Sequence, residues 1–283
     1  MLVSTRELLE AAAAGGYAIG GFNVYNLEWV QAVMAAAEAT RSPVLIQILP
    51  GAFKLAGLPL VALGLEAARQ ATVPVNFHLD HHTAKADITA ALELGVTSIM
   101  ADGSHLGYQE NVAFTRELVT LAHGYGANVE AELGLLSGSE DGYTVEAWQA
   151  SLTDPDQAVE FVERTGVNSL AVCVGNVHGP YPGEPQLDFE RLAHIHARVA
   201  VPLIMHGASG LPEAMIKRSI ELGICKFNVN TEVRNAYVRG LHDHVTAGDQ
   251  LPKDMIALMN AAIEAMQAVV MAKMMLFGCA GKA

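Results

Sequence analysis

The sequence predicts an α/β protein: a single (β/α)8 TIM barrel with a C-terminal helical extension, one domain over residues 1–283. Three observations carry that prediction. Short runs rich in β-branched residues alternate with longer amphipathic ones, the pattern of parallel strands joined by helical crossovers. Eight such runs occur, enough to close a barrel, and no linker, low-complexity stretch or charge block divides the chain. An open doubly wound sheet is the alternative, but no G-x-G-x-x-G follows the first strand.

The chain opens with a helix, because Ser4 stands three residues before Glu7 as a capping box. The strands are then expected at Tyr17–Val24, Val44–Leu49, Val75–Leu79, Ser98–Ala101, Val129–Leu133, Ser169–Val174, Leu203–Met205 and Ile224–Val229. Between them, apolar positions recur at helical spacing in Leu27–Thr40, Ala84–Leu94, Asn111–Gly124 and Pro155–Thr165. Residues 134–148 form a long, Gly/Ser-rich and acidic connection after the fifth strand, of the kind that serves as a lid or stays disordered. Past the eighth strand the chain is helical, and the Met residues of its last stretch read as core filler.

Composition narrows the function. Apolar residues make up 51% of the chain, and 17 Lys+Arg against 30 Asp+Glu give a formal charge of −13, so nucleic acid and anionic membrane surfaces are disfavoured partners. The most apolar run, near Ala261–Phe277, is interrupted by Glu264, Gln267 and Lys273 and falls short of a membrane span of roughly 18 to 20 residues. The first residues lack a basic start followed by an apolar stretch, so a cytoplasmic location is expected. Cys173, Cys225 and Cys279 are odd in number and far apart, which suggests neither a disulfide framework nor a cysteine zinc site.

In this fold the functional side chains sit at the C-terminal ends of the strands. Asn23 ends the first, Asp80, His81 and His82 the third, Asp102 the fourth, Glu130 and Glu132 the fifth, His206 the seventh, and Asn228, Asn230 and Thr231 the eighth, with His178 shortly past the sixth. His81, His178 and His206 would make a three-imidazole site with a vacant fourth position, which suits a catalytic zinc, although cobalt, iron or manganese accept the same ligands. Strict strand alternation points His82 rather than His81 inward with Asp80, unless the chain has already left the strand. His78 lies deeper and reads as structural, and His105 could stand behind a ligand.

Asp80 is a candidate general acid/base or, alternatively, a carboxylate that orients an imidazole. Glu132 and Asp102 could orient ligands or hold a second, weaker metal, and Glu140 and Asp141 ride on the long loop. The segments 206–212 and 228–231, which contain Gly207, Ala208, Ser209 and Val229, offer backbone N–H groups as an anion cradle, with Pro212 in the first turn of the following helix. Lys226 shares the parity of Asn228, so a Schiff-base lysine competes with a lysine paired to a barrel carboxylate.

These residues fall in segments that together resemble the class II, zinc-dependent ketose-bisphosphate aldolases, most closely the tagatose-1,6-bisphosphate branch and its fructose-1,6-bisphosphate relatives. The resemblance runs from end to end: HLDHHT at 78–83, MADGSH at 100–105, VEAELG at 129–134, GSEDG at 138–142, VGNVHGPY at 174–181, HGASG at 206–210 and CKFNVNTE at 225–232. It implies one zinc held by His81, His178 and His206, with Glu132 and Asp102 as carboxylates near the metal. Asp80 would exchange the proton of the C4 hydroxyl and Glu140 that at C3. Asn23, Gly179, Gly207, Ala208, Ser209, Asn228, Val229, Asn230 and Thr231 match segments that hold dihydroxyacetone phosphate, and Arg234 stands where some members place an arginine on the distal phosphate. The implied partner is a phosphorylated ketose, and the implied reaction is reversible aldol cleavage of a ketose 1,6-bisphosphate to dihydroxyacetone phosphate and glyceraldehyde 3-phosphate. A non-catalytic sugar-phosphate-binding barrel subunit is an alternative, and the apolar C-terminal helices suggest a homo-oligomer. The sequence departs from the family pattern at Leu49, where many relatives carry a hydroxyl, at Pro182, where many carry Lys, and at Asn230.

Overall fold

The computed structural model describes residues 1–140, 143–147, 149–248 and 253–283, with Glu140 and Tyr143 described by backbone alone. In chain order the first half runs α1 (Thr5–Gly15), β1 (Ile19–Asn23), α2 (Leu27–Thr40), β2 (Val44–Ile48), α3 (Pro50–Gln70), β3 (Val75–His82), α4 (Lys85–Leu94), β4 (Ser98–Ala101), α5 (Tyr108–Gly124) and β5 (Asn128–Leu133). A hairpin of β6 (Gly138–Glu140) and β7 (Tyr143–Val145) follows, then α6 (Pro155–Thr165), β8 (Ser169–Val172), α7 (Phe189–His196), β9 (Leu203–Met205), α8 (Glu213–Glu221), β10 (Ile224–Val229), α9 (Thr231–Thr246) and α10 (Met255–Leu276). The eight strands other than the hairpin close into a barrel in the order β1-β10-β9-β8-β5-β4-β3-β2, every neighbouring pair parallel.

Alternation sorts the two faces of each strand. Phe77 and Leu79, Val129 and Ala131, and Phe227 and Val229 are buried beneath the helices, whereas Asn76, His78 and Asp80, Glu130 and Glu132, and Lys226 and Asn228 carry the opposite parity toward the barrel axis. The packing outside is close: a Cβ on Gly64 of α3 would fall 2.2 Å from the Phe77 ring. Local signals set the helix ends. Ser4 and Glu7 form the capping box, Asp154 caps α6 ahead of Pro155, and Asp254 caps α10.

Several boundaries shift for identifiable reasons. The backbone of Ala18 bonds to Phe277 O, so β1 begins at Ile19 rather than Tyr17. β8 stops at Val172 because the N–H groups of Cys173 and Val174 are taken by the side chains of Thr153 and Asn176, both at 2.8 Å. α5 starts at Tyr108 instead of Asn111, with Glu110 returning to the Gly107 N–H. Pro212 precedes α8 as its cap residue rather than lying in the first turn.

Among the described residues two helices, α3 and α10, are long and apolar enough to cross a membrane by length and composition alone, although Lys54, Glu66 and Arg69 interrupt the first and Glu264 and Lys273 the second. α10 begins six residues before the run counted from Ala261. α3 breaks at Gly57 (φ 62°), two residues before Pro59. α10 packs along α2 and α9, where Gly240 lets its backbone approach Ala261, and it buries Met266, Val270 and Met274 as filler.

Candidate active site

Below the mouth, the barrel axis is filled by a charged network. Lys226 Nζ lies 2.6 Å from Glu130 Oε2, both fully buried, and Glu130 Oε1 accepts the Nε2 proton of His206 at 2.8 Å. Burial opposes charge on Glu130, but Lys226 and His206 hold its carboxyl far below the usual range. His78 contacts Ser98 Oγ at 2.7 Å, and burial together with Lys226 lowers its pKa to about 3, so it is a neutral wall residue. Lys226 is thus the partner of a barrel carboxylate.

Above this network, ligand atoms of His81, Glu132, His178 and His206 lie within 4.8 Å of one another. His81 donates from Nδ1 to Asp102 at 2.7 Å, and His206 donates from Nε2 to Glu130. Those carboxylates assign both tautomers. The remaining nitrogens, His81 Nε2 and His206 Nδ1, face each other at 2.8 Å, close enough to share a proton or to ligate one ion. Glu132 Oε2 is buried without a hydrogen-bond partner, and burial beside Asp102 raises its pKa well above normal. Burial also opposes charge on His81, yet Asp80 and Asp102 lift its pKa well above the ordinary imidazole value. Three imidazoles, an orphaned carboxylate oxygen and further buried carboxylates fit a divalent cation.

His81 reaches this point because it adopts φ 55°, a left-handed conformation uncommon outside glycine, and the β3–β4 register shifts between Leu79 and His82. The extra residue reverses the alternation. His82 instead packs its ring against Phe53 of α3, where burial lowers its pKa to about 4.

Asp80 is buried and accepts from three amides: Asn23 at 2.8 Å, Gln47 at 3.1 Å and Asn228 at 3.0 Å. Despite burial, nearby His81 and His206 lower its pKa, so it stands as an oriented anion. The role of orienting imidazoles belongs to Asp102 and Glu130, and Asp102 lies outside the four-residue cation group. Asn23 and Asn228 are brought to the axis, each with a buried unpartnered carbonyl oxygen.

The loops after β9 and β10 adjoin this centre. Ala208 and Val229 are fully buried and offer only backbone, while Ser209, Asn228 and Asn230 are nearly so. Asn230 precedes α9 without a side-chain cap bond, leaving the first-turn N–H groups from Thr231 onward as donors. The Gly210 N–H is already taken by Glu232 at 2.9 Å, and Glu232 also pairs with Lys273. Arg234 lies in the first turn of α9. The His178 segment is wedged between two loops: Ser139 N–H bonds to His178 O at 3.2 Å, and His178 N–H to Ser137 O at 2.8 Å. Gly138 and Gly207 permit this, because a Cβ on either would fall 2.0 Å from the carbonyl oxygen of His178 or Val177. Gly179 packs on Ser139 in the same seam. The connection after β5 therefore carries a hairpin over the mouth, with Glu140 in β6; the Glu140 side chain, Asp141, Gly142 and Trp148 lie outside the described residues. A cleft of about 330 Å³ opens from His81, Glu132 and His178 toward the ends of β2–β5 and the hairpin.

The family model for class II fructose-bisphosphate aldolase matches residues 3–282. The chain belongs to that family. This aldolase is similar in structure to the YdjI aldolase of Escherichia coli K12, at 38% identity and TM-score 0.90 over the whole of both chains. It is also similar to a provisionally assigned fructose-1,6-bisphosphate aldolase from Coccidioides immitis, at 39% identity and TM-score 0.90, covering 98% of this chain and 97% of that one. A third likeness is the fructose-bisphosphate aldolase of Campylobacter jejuni, at 25% identity and TM-score 0.82 over 100% and 97% of the two chains. The protein is accordingly a lyase on a TIM barrel.

Sequence reasoning passed over Gln47, which holds Asp80, gave Glu130 no role, and missed Asn176, which donates to His206 O at 3.0 Å. Gln47 and Glu130 lie inside β2 and β5 on the axis-facing parity, the one sequence signal that could have marked them, and Asn176 lies four residues past β8.

Proposed function

We propose that this aldolase performs a metal-dependent, reversible aldol cleavage of a ketose 1-phosphate, the class that includes tagatose and fructose 1,6-bisphosphates, giving dihydroxyacetone phosphate and an aldehyde. The observation that carries the reading is the convergence of ligand atoms from His81, Glu132, His178 and His206 within 4.8 Å of one another, with Glu132 Oε2 lacking a hydrogen-bond partner. His81, His178 and His206, with Glu132, would hold the ion, and zinc suits that donor set best. Such an ion supplies Lewis-acid stabilisation of the charge left on the three-carbon fragment.

The other steps belong to the chain's own groups. Asp80, kept anionic and aimed by Asn23, Gln47 and Asn228, takes the C4 hydroxyl proton as the C3–C4 bond breaks. Glu140, carried by the hairpin, returns a proton at C3. Gly179, Gly207, Ala208, Ser209 and residues 228–231 bind the phosphate through backbone N–H groups and hydroxyls, aided by the N-terminus of α9. Asp102 fixes His81 and stands ready as an auxiliary carboxylate. One domain over 1–283 accounts for the whole site. The exposed Met255, Ile256, Met259 and Met275 of α10 support a homo-oligomer, and three buried free thiols support a reducing, cytoplasmic setting.

The test strips the protein with chelator, restores zinc, and follows triose phosphate release alongside hydrogen exchange at the hydroxymethyl carbon of dihydroxyacetone phosphate. Zinc should restore both. Asp80→Asn should lower cleavage by roughly 10²-fold or more while exchange persists, and Glu140→Gln should lower exchange. Activity that survives chelation, with borohydride trapping of substrate on Lys226, would refute the reading.

A further inference from the structure

Resting on the lyase reading above, we infer that the aldehyde half of the substrate ends in an uncharged group: the cleft beside the metal site is built for a hydroxyaldehyde or aliphatic aldehyde, not for a second phosphate. The placement follows from the barrel. The phosphate-binding loops follow β9 and β10, and none of their residues lines the 330 Å³ cleft, which opens on the opposite flank, over β2, β3, β4 and β5. A ketose with its phosphate on those loops and its carbonyl at the histidines extends its far end into this cleft.

The far wall is apolar, made by Leu49, Pro50, Leu135, Leu136 and Val145. Thr83, Ser104 and His105 supply the polar rim, a set suited to hydroxyl groups. Among the described residues no lysine or arginine lines the cleft, and Arg234 is not part of it. The acidic groups among the described lining residues, Asp102 and Glu132, close the inner end and offer an anion no attraction. A phosphate dianion at the outer end of this cleft would lose water and meet no lysine or arginine among the described lining residues, which is unfavourable unless the charge is paired. Leu49, at a position where a hydroxyl is common in the family, belongs to this wall.

The zinc-loaded enzyme is assayed in the condensation direction with dihydroxyacetone phosphate and, in turn, glyceraldehyde 3-phosphate, glyceraldehyde and butanal. Glyceraldehyde is expected to exceed glyceraldehyde 3-phosphate in kcat/KM by roughly tenfold or more, and Leu135→Arg to shift that ratio toward the phosphorylated aldehyde by a similar factor. Equal or better use of glyceraldehyde 3-phosphate by the unaltered enzyme, lost in His105→Ala, would overturn the inference and place the phosphate on that imidazole. Hydrogen exchange into dihydroxyacetone phosphate, run in parallel, separates the two levels. Exchange with a preference for the phosphorylated aldehyde removes this inference alone, whereas no metal-dependent exchange removes the lyase reading and this inference with it.

Discussion

Replacing Lys226 by Met tests the network beneath the histidines. At 2.6 Å and an effective dielectric of about 20, the attraction between Lys226 and Glu130 is about 6 kcal/mol, partly offset by the cost of desolvating both groups. Removing the ammonium leaves Glu130 buried beside His206 and His78, and breaking such a pair costs about 3–5 kcal/mol. With an unfolding entropy of roughly 2.1 cal/mol/K per residue, a chain of 283 residues loses about 5–8 °C in Tm for that penalty. The assay is thermal unfolding of metal-free protein, followed by circular dichroism. The double variant Lys226→Met/Glu130→Gln removes both charges and keeps an oxygen for the His206 N–H, so it should recover at least half of the lost Tm. A single-variant shift below about 2 °C, or a double variant no more stable than the single one, would show that the pair does not carry the energy assigned to it.

Two further outcomes follow. Asp102→Asn takes the negative charge from His81 Nδ1 and should weaken zinc binding by roughly 10–100-fold in a chelator competition while moving the Tm of metal-free protein little. Gly207→Ala places a Cβ against Val177 O at a positive φ; it should cost about 1–3 kcal/mol in stability and lower zinc occupancy, read by metal analysis after dialysis, because His206 and His178 flank that contact.

The barrel was legible because each strand run is bounded by turn residues and the inward and outward positions alternate cleanly, as in Val129-Glu130-Ala131-Glu132. His206, Asp80 and the Asn228 segment followed from the same rule. His81 did not, since alternation selects His82; only a left-handed residue at the strand end, invisible in residue types, brings His81 inward. Glu130 was visible as a strand-end acid, but its link to both Lys226 and His206 depends on three strands meeting across the axis, a relation between distant segments that spacing does not encode. The hairpin within residues 134–148 escaped for another reason. Its two strands are three residues each, and its outer partner is the His178 segment rather than a neighbour in sequence.

That last pairing has a mechanical consequence. The acid-bearing arm and the imidazole of the loop beside it share main-chain bonds, so neither can shift far without pulling the other. With the proposed ion on His178 and the proposed acid at Glu140, displacing the arm would strain the backbone bonds that hold the ion's ligand.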